Sequence, residues 1–312
     1  MELRQLQTFR AVAESLSFTR AAEALSYAQS SVTGQIQSLE EELGVRLFER
    51  LGKRIALTPQ GEQLLAYAER ILKLAEEARQ TVTRQGEEPS GPLLIGSPES
   101  LATYRLPPIL QRFRQRYPRV QLVLKPGVCS DMLRQLSDGL LDLAFIMQEP
   151  LSAPQLVSRS LKVEPLYLFC PPDHPLAARP GVTLSDLQGQ HLLLTEEGCS
   201  YRILIEQELE KAGVRVASSL EFGSIEAIKQ CVAAGMGLAV LPAMAAGQDL
   251  TQGRLAMLPW REASYSVVTQ VVWHKDKWLS PAMQAFIDLT LEILPPLPHL
   301  QTAAPRPVRI AE

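Results

Sequence analysis

The 312-residue chain has no apolar run of 18 residues, so nothing in it is expected to span a bilayer as a helix. It opens Met-Glu-Leu-Arg, without the basic, apolar and small-residue succession of a signal peptide, and a cytoplasmic location is the expectation. The four cysteines, at 129, 170, 199 and 231, form no Cys-x-x-Cys. A zinc site or a disulfide framework is not expected, and reduced thiols fit the cytoplasm. The four histidines, at 174, 191, 274 and 299, show no ligand spacing. Gly235-Met-Gly237 is followed by Val240 where a dinucleotide fingerprint needs a third glycine, and neither a phosphate loop nor a G-x-S-x-G occurs. An enzyme, a metal centre and a cofactor are therefore not expected. Basic excess is missing too. The formal net charge is −3, and residues 1–58 carry seven basic and seven acidic side chains. Any contact with nucleic acid must come from where charges sit, not from their sum.

What is present is organised around residues 17–44. Ser17-Phe-Thr-Arg-Ala-Ala-Glu-Ala-Leu25 and Gln29 to Leu43 read as two short helices meeting at a turn. In the second, Val32, Ile36, Leu39 and Leu43 share one face, and Ser30, Gly34, Gln37, Ser38 and Glu41 take the other. Gly44 stands where a helix C-cap takes a left-handed residue. Small and amide side chains opposite a buried face suit a reader of base edges, since glutamine bonds adenine bidentately. The same spacing also suits an ordinary helical hairpin in an enzyme. Ahead of the pair, Leu3, Leu6, Phe9, Val12 and Leu16 trace an amphipathic helix, and Ser17 or Thr19 can cap the next. After it, Val45, Leu47 and Phe48 are expected to plug back into a small core. Arg50, Lys53 and Arg54 then cluster around Gly52 before Ile55-Ala-Leu57, which reads as a two-stranded wing whose basic tip holds phosphates or is merely solvated.

Phe18-Thr19-Arg20-Ala21-Ala22-Glu23-Ala24-Leu25 and Leu39-Glu40-Glu41-Glu42-Leu43-Gly44-Val45-Arg46-Leu47-Phe48-Glu49-Arg50 resemble the winged helix-turn-helix of LysR-type transcriptional regulators. The resemblance continues to about Pro296. It implies a double-stranded DNA operator as partner, read by Thr19, Gln29, Ser30, Ser31, Thr33, Gly34, Gln35, Gln37 and Ser38, with Arg50, Lys53 and Arg54 on phosphates. One departure stands out: the family usually places basic residues on the recognition helix, and here no Lys or Arg occurs between Arg20 and Arg46.

Thr58-Pro59 is a helix start, and beyond Gly61 no breaker follows until Gly86. Leu64, Ala68, Ile71, Ala75, Ala78 and Val82 alternate by four and three, with Leu65 and Leu72 alongside. This helix either lies on its own domain or pairs with a second copy. The resemblance implies the second: a linker helix through which a homodimer forms, with further pairing to a homotetramer. Glu87-Glu-Pro-Ser-Gly-Pro92 reads as a hinge. From Leu93 the pattern alternates strands and helices, an α/β sequence. The expected organisation is thus a winged helix-turn-helix over 1–58, a linker helix over 59–88 and a two-lobed, periplasmic-binding-protein-like α/β effector domain over 91–296. Lobe I is expected over about 91–162 and 266–296, lobe II over about 163–265, and a disordered tail over 297–312. A helix is expected within Leu101 to Tyr117, with Pro107-Pro108 near its start.

In open α/β lobes, ligands lie outside the carboxyl ends of strands, beside helix N-termini. Ser97-Pro-Glu-Ser100, Val128-Cys129-Ser130 and Thr195-Glu-Glu-Gly-Cys-Ser-Tyr-Arg202 qualify, although serine and threonine there also serve as plain caps. The hydroxyls suit a small anion, and Arg202 is positioned in sequence to pair with a carboxylate. With the family's cleft as guide, the expected effector set is Ser97, Glu99, Ser100, Val128, Cys129, Met147, Thr195, Cys199, Arg202 and Phe222. Glu99 is expected to reject excess negative charge. The effector is a small molecule, and RNA polymerase is a further partner if the protein activates. Two alternatives stand beside this: a thiol-based redox sensor using Cys199, as in peroxide-sensing relatives, and a solute-binding protein with an N-terminal extension.

Overall fold

The computed structural model describes residues 1–51, 54–83, 88–245, 247–261 and 265–297. They divide into two compact units, Met1–Glu87 and Glu88–Glu312.

In the first unit, α1 (Leu3–Ser15), α2 (Phe18–Leu25) and α3 (Gln29–Leu43) are followed by a hairpin of β1 (Phe48–Leu51) and β2 (Arg54–Leu57) and by the 25-residue α4 (Pro59–Thr83). Ser17 is the cap of α2, its Oγ accepting from the Arg20 N–H. Leu16 and Ser26 take left-handed φ values and turn the chain at either end of α2. Phe9, Val12, Ala21, Val32, Ile36, Leu39, Leu47 and Phe48 form the core, with the Phe48 ring 5.4 Å from Phe9 and 5.9 Å from Phe18. Two expected core members are outside it: Leu43 and Val45 are each 39% exposed. The left-handed Gly44 ends α3 between them. Glu40 then accepts from the backbone N–H groups of Leu47 and Phe48 at 2.7 and 3.3 Å, so the chain re-enters the core only at Leu47.

The linker helix differs from its expected seam. Ala68 and Leu72 are buried in the unit's own core, with Leu64, Leu65 and Ile71 packed against it. A Cβ on Gly61 would lie 2.2 Å from the Leu47 carbonyl oxygen, so the first turn of α4 is seated directly on this backbone. Among the described residues of α4, the exposed large apolar side chains are instead Tyr67 and Leu74, 60% and 66% exposed and one heptad apart.

The second unit holds β3 (Gly91–Ser97), α5 (Glu99–Tyr104), α6 (Pro107–Arg116), β4 (Val120–Pro126), α7 (Cys129–Ser137), β5 (Leu143–Gln148) and the 15-residue β6 (Leu156–Cys170). After these come β7 (His191–Thr195), α8 (Ser200–Lys211), β8 (Ser218–Phe222), α9 (Ile225–Ala233), β9 (Ala239–Pro242), α10 (Gly247–Thr251), β10 (Ala256–Leu258), β11 (Ser266–His274) and α11 (Pro281–Ile293). Gly91 and Pro92, expected in the hinge, already belong to β3. The helix expected with Pro107-Pro108 near its start is α6, and a separate short helix, α5, precedes it, because Pro107 cannot continue α5 and opens α6 at its first position.

β3 pairs in parallel with β4 and β5, and β11 lies antiparallel between β5 and β6, which makes lobe I. β6 carries the chain across. Its pairing with β11 runs to Pro165, and from Leu166 it pairs with β9 and then β10. The switch therefore falls three residues later than the expected boundary at 162/163. In lobe II the parallel pair β7–β8 joins through the Leu192–Leu238 bridge. One hydrophobic cluster, including Phe113, Phe145, Phe286, Leu193, Tyr201 and Ile228, runs through both lobes. Leu297, expected in the disordered tail, donates its N–H to the Ser160 carbonyl at 2.8 Å; residues 298–312 lie outside those described.

Candidate nucleic-acid interface and effector cleft

Burial divides α3 cleanly. Val32, Ile36 and Leu39 are at most 1% exposed, while Gln29, Ser30, Ser31, Gly34, Gln37, Ser38 and Glu41 face solvent, as does Thr19 on α2. Two of the expected reading residues are tied to α1. Gln35 is half-buried and its Oε1 accepts from Thr8 Oγ1 at 2.7 Å, and Ser38 Oγ accepts from Gln5 Nε2 at 3.4 Å. Gln35 thus spends its carbonyl inside the protein, which leaves Gln29 and Gln37 as the exposed amides of α3. The Thr33 hydroxyl donates back to the Gln29 carbonyl at 3.0 Å and retains its lone pairs. A Cβ on Gly34 would meet no atom within 4 Å, so nothing within the protein requires glycine in mid-helix.

That last point yields a direct expectation. Gly34→Ala should stabilise the first unit by up to about 1 kcal/mol through helix propensity. It should weaken operator binding if a DNA surface lies against this turn. Thermal melting paired with a gel shift measures both effects, and an unchanged operator affinity would take Gly34 off the interface. Of the expected phosphate-binding wing, Arg50 and Arg54 stand in the paired strands β1 and β2, and Lys53 lies outside the described residues.

In the second unit, the carboxyl ends of the parallel strands of both lobes face each other. Ser97 closes β3, and Thr195 and Phe222 close β7 and β8. Gly198, ahead of α8, would place a Cβ 3.4 Å from Val128, ahead of α7. Ser200 and Cys199 act on the thiol of Cys129, whose Sγ also accepts from the Met147 N–H at 3.5 Å. Glu99, on the first turn of α5, faces the Ile225 N–H at the start of α9. Ser97, Ser100, Cys129, Met147 and Thr195 are buried, and Val128, Glu99, Cys199 and Phe222 half-buried. The cavity that Thr195 and Tyr201 border with Leu193 and Ile205 has about 10 Å³, the size of one water.

Burial, with the charges of Glu196 and Glu226, raises the Glu99 carboxyl above its ordinary value against the pull of the Ile225 N–H. Burial likewise pushes the Cys199 and Cys129 thiols up, the opposite of what a peroxide-reactive thiolate requires. Arg202 is not where an effector carboxylate needs it. Its guanidinium donates to the Thr195 carbonyl at 2.6 Å, to Glu221 at 2.7 Å and to Glu206 at 2.9 Å, so it staples β7, α8 and β8 together. Sequence reading missed Tyr201, buried against Cys199, Glu99 and Thr195, and Lys229, which lies 5.6 Å from the Tyr104 ring centre. Their signal was ordinary amphipathic spacing, which does not separate a cleft wall from a core.

A family model described as "Bacterial regulatory helix-turn-helix protein, lysR family" matches residues 3–62, and one described as "LysR substrate binding domain" matches residues 86–295. An uncharacterized HTH-type transcriptional regulator of Bacillus subtilis, YwqM, is 49% identical over 291 residues, covering 93% of this chain and 98% of that protein. The B. subtilis regulator GltR is 36% identical over 287 residues, covering 92% and 95%. Among solved structures, a full-length OxyR variant from Pseudomonas aeruginosa aligns with a TM-score of 0.71 at 26% identity, covering 94% of each chain. Full-length CbnR complexed with its target DNA aligns at 0.68 and 25% identity, covering 94% of this chain and 99% of that one.

Proposed function

The chain belongs to the LysR family of DNA-binding transcriptional regulators, and from that premise we propose that it reads its operator with Ser30, Ser31, Thr33, Gly34 and Gln37 of α3. The observation that carries this reading is the exposed face of small and amide side chains opposite the fully buried Val32, Ile36 and Leu39. Arg50, Lys53 and Arg54 of the wing hold phosphates, supplying charge that α3 lacks. Two copies pair through α4, so two recognition helices meet a two-fold-related operator. Further pairing to a tetramer, contact with RNA polymerase at activated promoters and action in the cytoplasm belong to the same reading. A small molecule bound where the carboxyl ends of the two lobes face each other biases the regulator by its preference for one lobe geometry.

The test is a gel shift with the DNA upstream of its own gene, repeated across salt concentrations and base substitutions. Gln37→Ala should cost about 1–3 kcal/mol on the preferred sequence and relax the choice of base at one position. Arg54→Ala should weaken binding to all sequences alike and reduce the salt slope by about one. Unchanged affinity and preference in Gln37→Ala would remove α3's open face as the reader.

A further inference from the structure

Taking α3 as the operator reader, as proposed above, we infer that Thr8 is a positioning residue for Gln35. It turns the Gln35 amide so that α3 offers the DNA a hydrogen-bond donor, and the base that Gln35 selects is guanine. Thr8 lies on α1 and is fully buried. Its hydroxyl donates to Gln35 Oε1 at 2.7 Å. A glutamine amide accepts through one atom and donates through the other, so with Oε1 held inward only Nε2 remains for a ligand. Nε2 has no protein partner among the described residues and is not one of their buried unpaired atoms, so it reaches solvent. Gln5 repeats the arrangement one turn earlier on α1. Its Oε1 accepts from the Glu2 N–H at 2.7 Å and its Nε2 donates to Ser38 Oγ at 3.4 Å. Two donors from α1 thus meet the flank of α3 that Ser31, Gln35 and Ser38 share. Ser31 and Ser38 are exposed, so the outer end of Gln35 borders the open face.

The choice of base follows from the donor. Glutamine reads adenine by accepting from N6 and donating to N7, whereas guanine offers acceptors at both O6 and N7. An amide whose oxygen is occupied loses half of the adenine pair and keeps its donor for guanine. Guanine is ordinarily read by arginine or lysine, and α3 has neither, since no Lys or Arg occurs between Arg20 and Arg46. A neutral donor held in one orientation takes their place. Gln37 lacks that restraint: among the described residues no protein group holds its amide, so it can turn either atom to a base.

The test selects a binding site from a pool of random duplex DNA with the full chain, then follows gel shifts of duplexes altered at one base pair at a time. One G·C pair should weaken binding roughly tenfold when replaced by A·T, and again when its guanine is exchanged for 7-deazaguanine, which lacks the N7 acceptor. Gln35→Met, which keeps the length and removes the donor, should lose that preference and no other. Thr8→Val, which keeps the shape and removes the hydroxyl, should free the amide to turn and bring guanine and adenine at that pair to within about twofold of each other. Thr8→Ser should keep the guanine preference. Thermal melting of each variant establishes that it is folded. Were Thr8→Val to unfold, the base released by Gln35→Met still decides, since guanine needs only the donor and adenine needs both atoms. Any base other than guanine at that pair, a Gln35→Met protein with unchanged preference everywhere, or a folded Thr8→Val protein that weakens on all duplexes alike would each overturn the inference. A Gln37→Ala protein that still shifts its own base preference would confine such a failure to Gln35. No shift in either glutamine variant, or a pool that yields no preferred sequence, would take the α3 reading with it.

Discussion

With two copies paired through α4 as proposed, Leu74→Glu should convert the dimer to a monomer at micromolar concentration and abolish tight operator binding while leaving the fold of its first unit intact. The side chain is 66% exposed on α4, one heptad beyond the 60%-exposed Tyr67. Between them Ile71 is partly engaged by the unit's own core, and beyond them Ala78 is exposed. The stripe 67–71–74–78 has the four-three alternation of a coiled-coil seam. Burying one leucine contributes about 1.5–3 kcal/mol. Two-fold symmetry makes every substitution count twice, so the dimer loses about twice that amount before the cost of desolvating two facing carboxylates is added. With every 1.4 kcal/mol worth about tenfold, the dimer constant should weaken by about two to four orders of magnitude. Sedimentation and gel shift measure the two consequences. Ile71→Glu would not separate them, because Ile71 packs against the core of its own unit and its loss would loosen the domain as well. A Leu74→Glu protein that still sediments as a dimer and still binds its operator would place the seam elsewhere on the helix.

The shift of that seam shows what periodicity conveys. Leu64, Ala68 and Ile71 were legible as an apolar helical row, but a row has no partner written into it. The turn of α4 seated on the Leu47 carbonyl presses Ala68 and Leu72 against α1 and uses the row internally. The winged helix itself was readable because short-range physics fixes it: a serine cap at Ser17, a left-handed Gly44, and three apolar residues on one face of α3. Leu43 and Val45 defeated the pattern: both stand at the Gly44 cap that ends α3, and each is 39% exposed. In the second unit most strands announced themselves as apolar runs. β8, Ser-Ser-Leu-Glu-Phe, did not, since four of its five residues are exposed and Phe222 is the one that packs against the core. The first half of β6, half-buried and mixing polar with apolar residues, offers no apolar run to read. The cleft was legible at the level of loops, because strand ends leading into helices can be found by spacing. Its charge was not. Whether Arg202 is free depends on Glu221, a residue nineteen positions away on the unforeseen strand.

Arg105→Ala should destabilise the effector unit severely, by about 3–5 kcal/mol, because it strands a buried charge. Glu164 is 1% exposed on β6, immediately before the Pro165 at which that strand leaves β11 for lobe II. Its two oxygens accept from Arg105 Nε and Nη2, both at 2.7 Å. The bidentate geometry makes this the kind of pair whose charge and direction are both used. Among the described residues, removing the guanidinium leaves the carboxylate facing Thr269 Oγ1 at 3.5 Å. The pair itself need not stabilise the fold, since desolvation offsets much of its attraction. Arg105→Met combined with Glu164→Leu should therefore recover most of the lost stability, whereas either single change should not. Chemical denaturation of the four proteins closes the cycle. The two proteins should then part in function. Arg105 ends the short α5 that carries Glu99, so the ion pair fixes that helix against the strand crossing between the lobes. The apolar double variant should fold well yet hold Glu99 less firmly, with weaker response to a cleft ligand in the operator gel shift. Arg105→Ala with wild-type stability would show that water reaches Glu164, and a double variant as unstable as the single one would show that apolar packing cannot replace the pair.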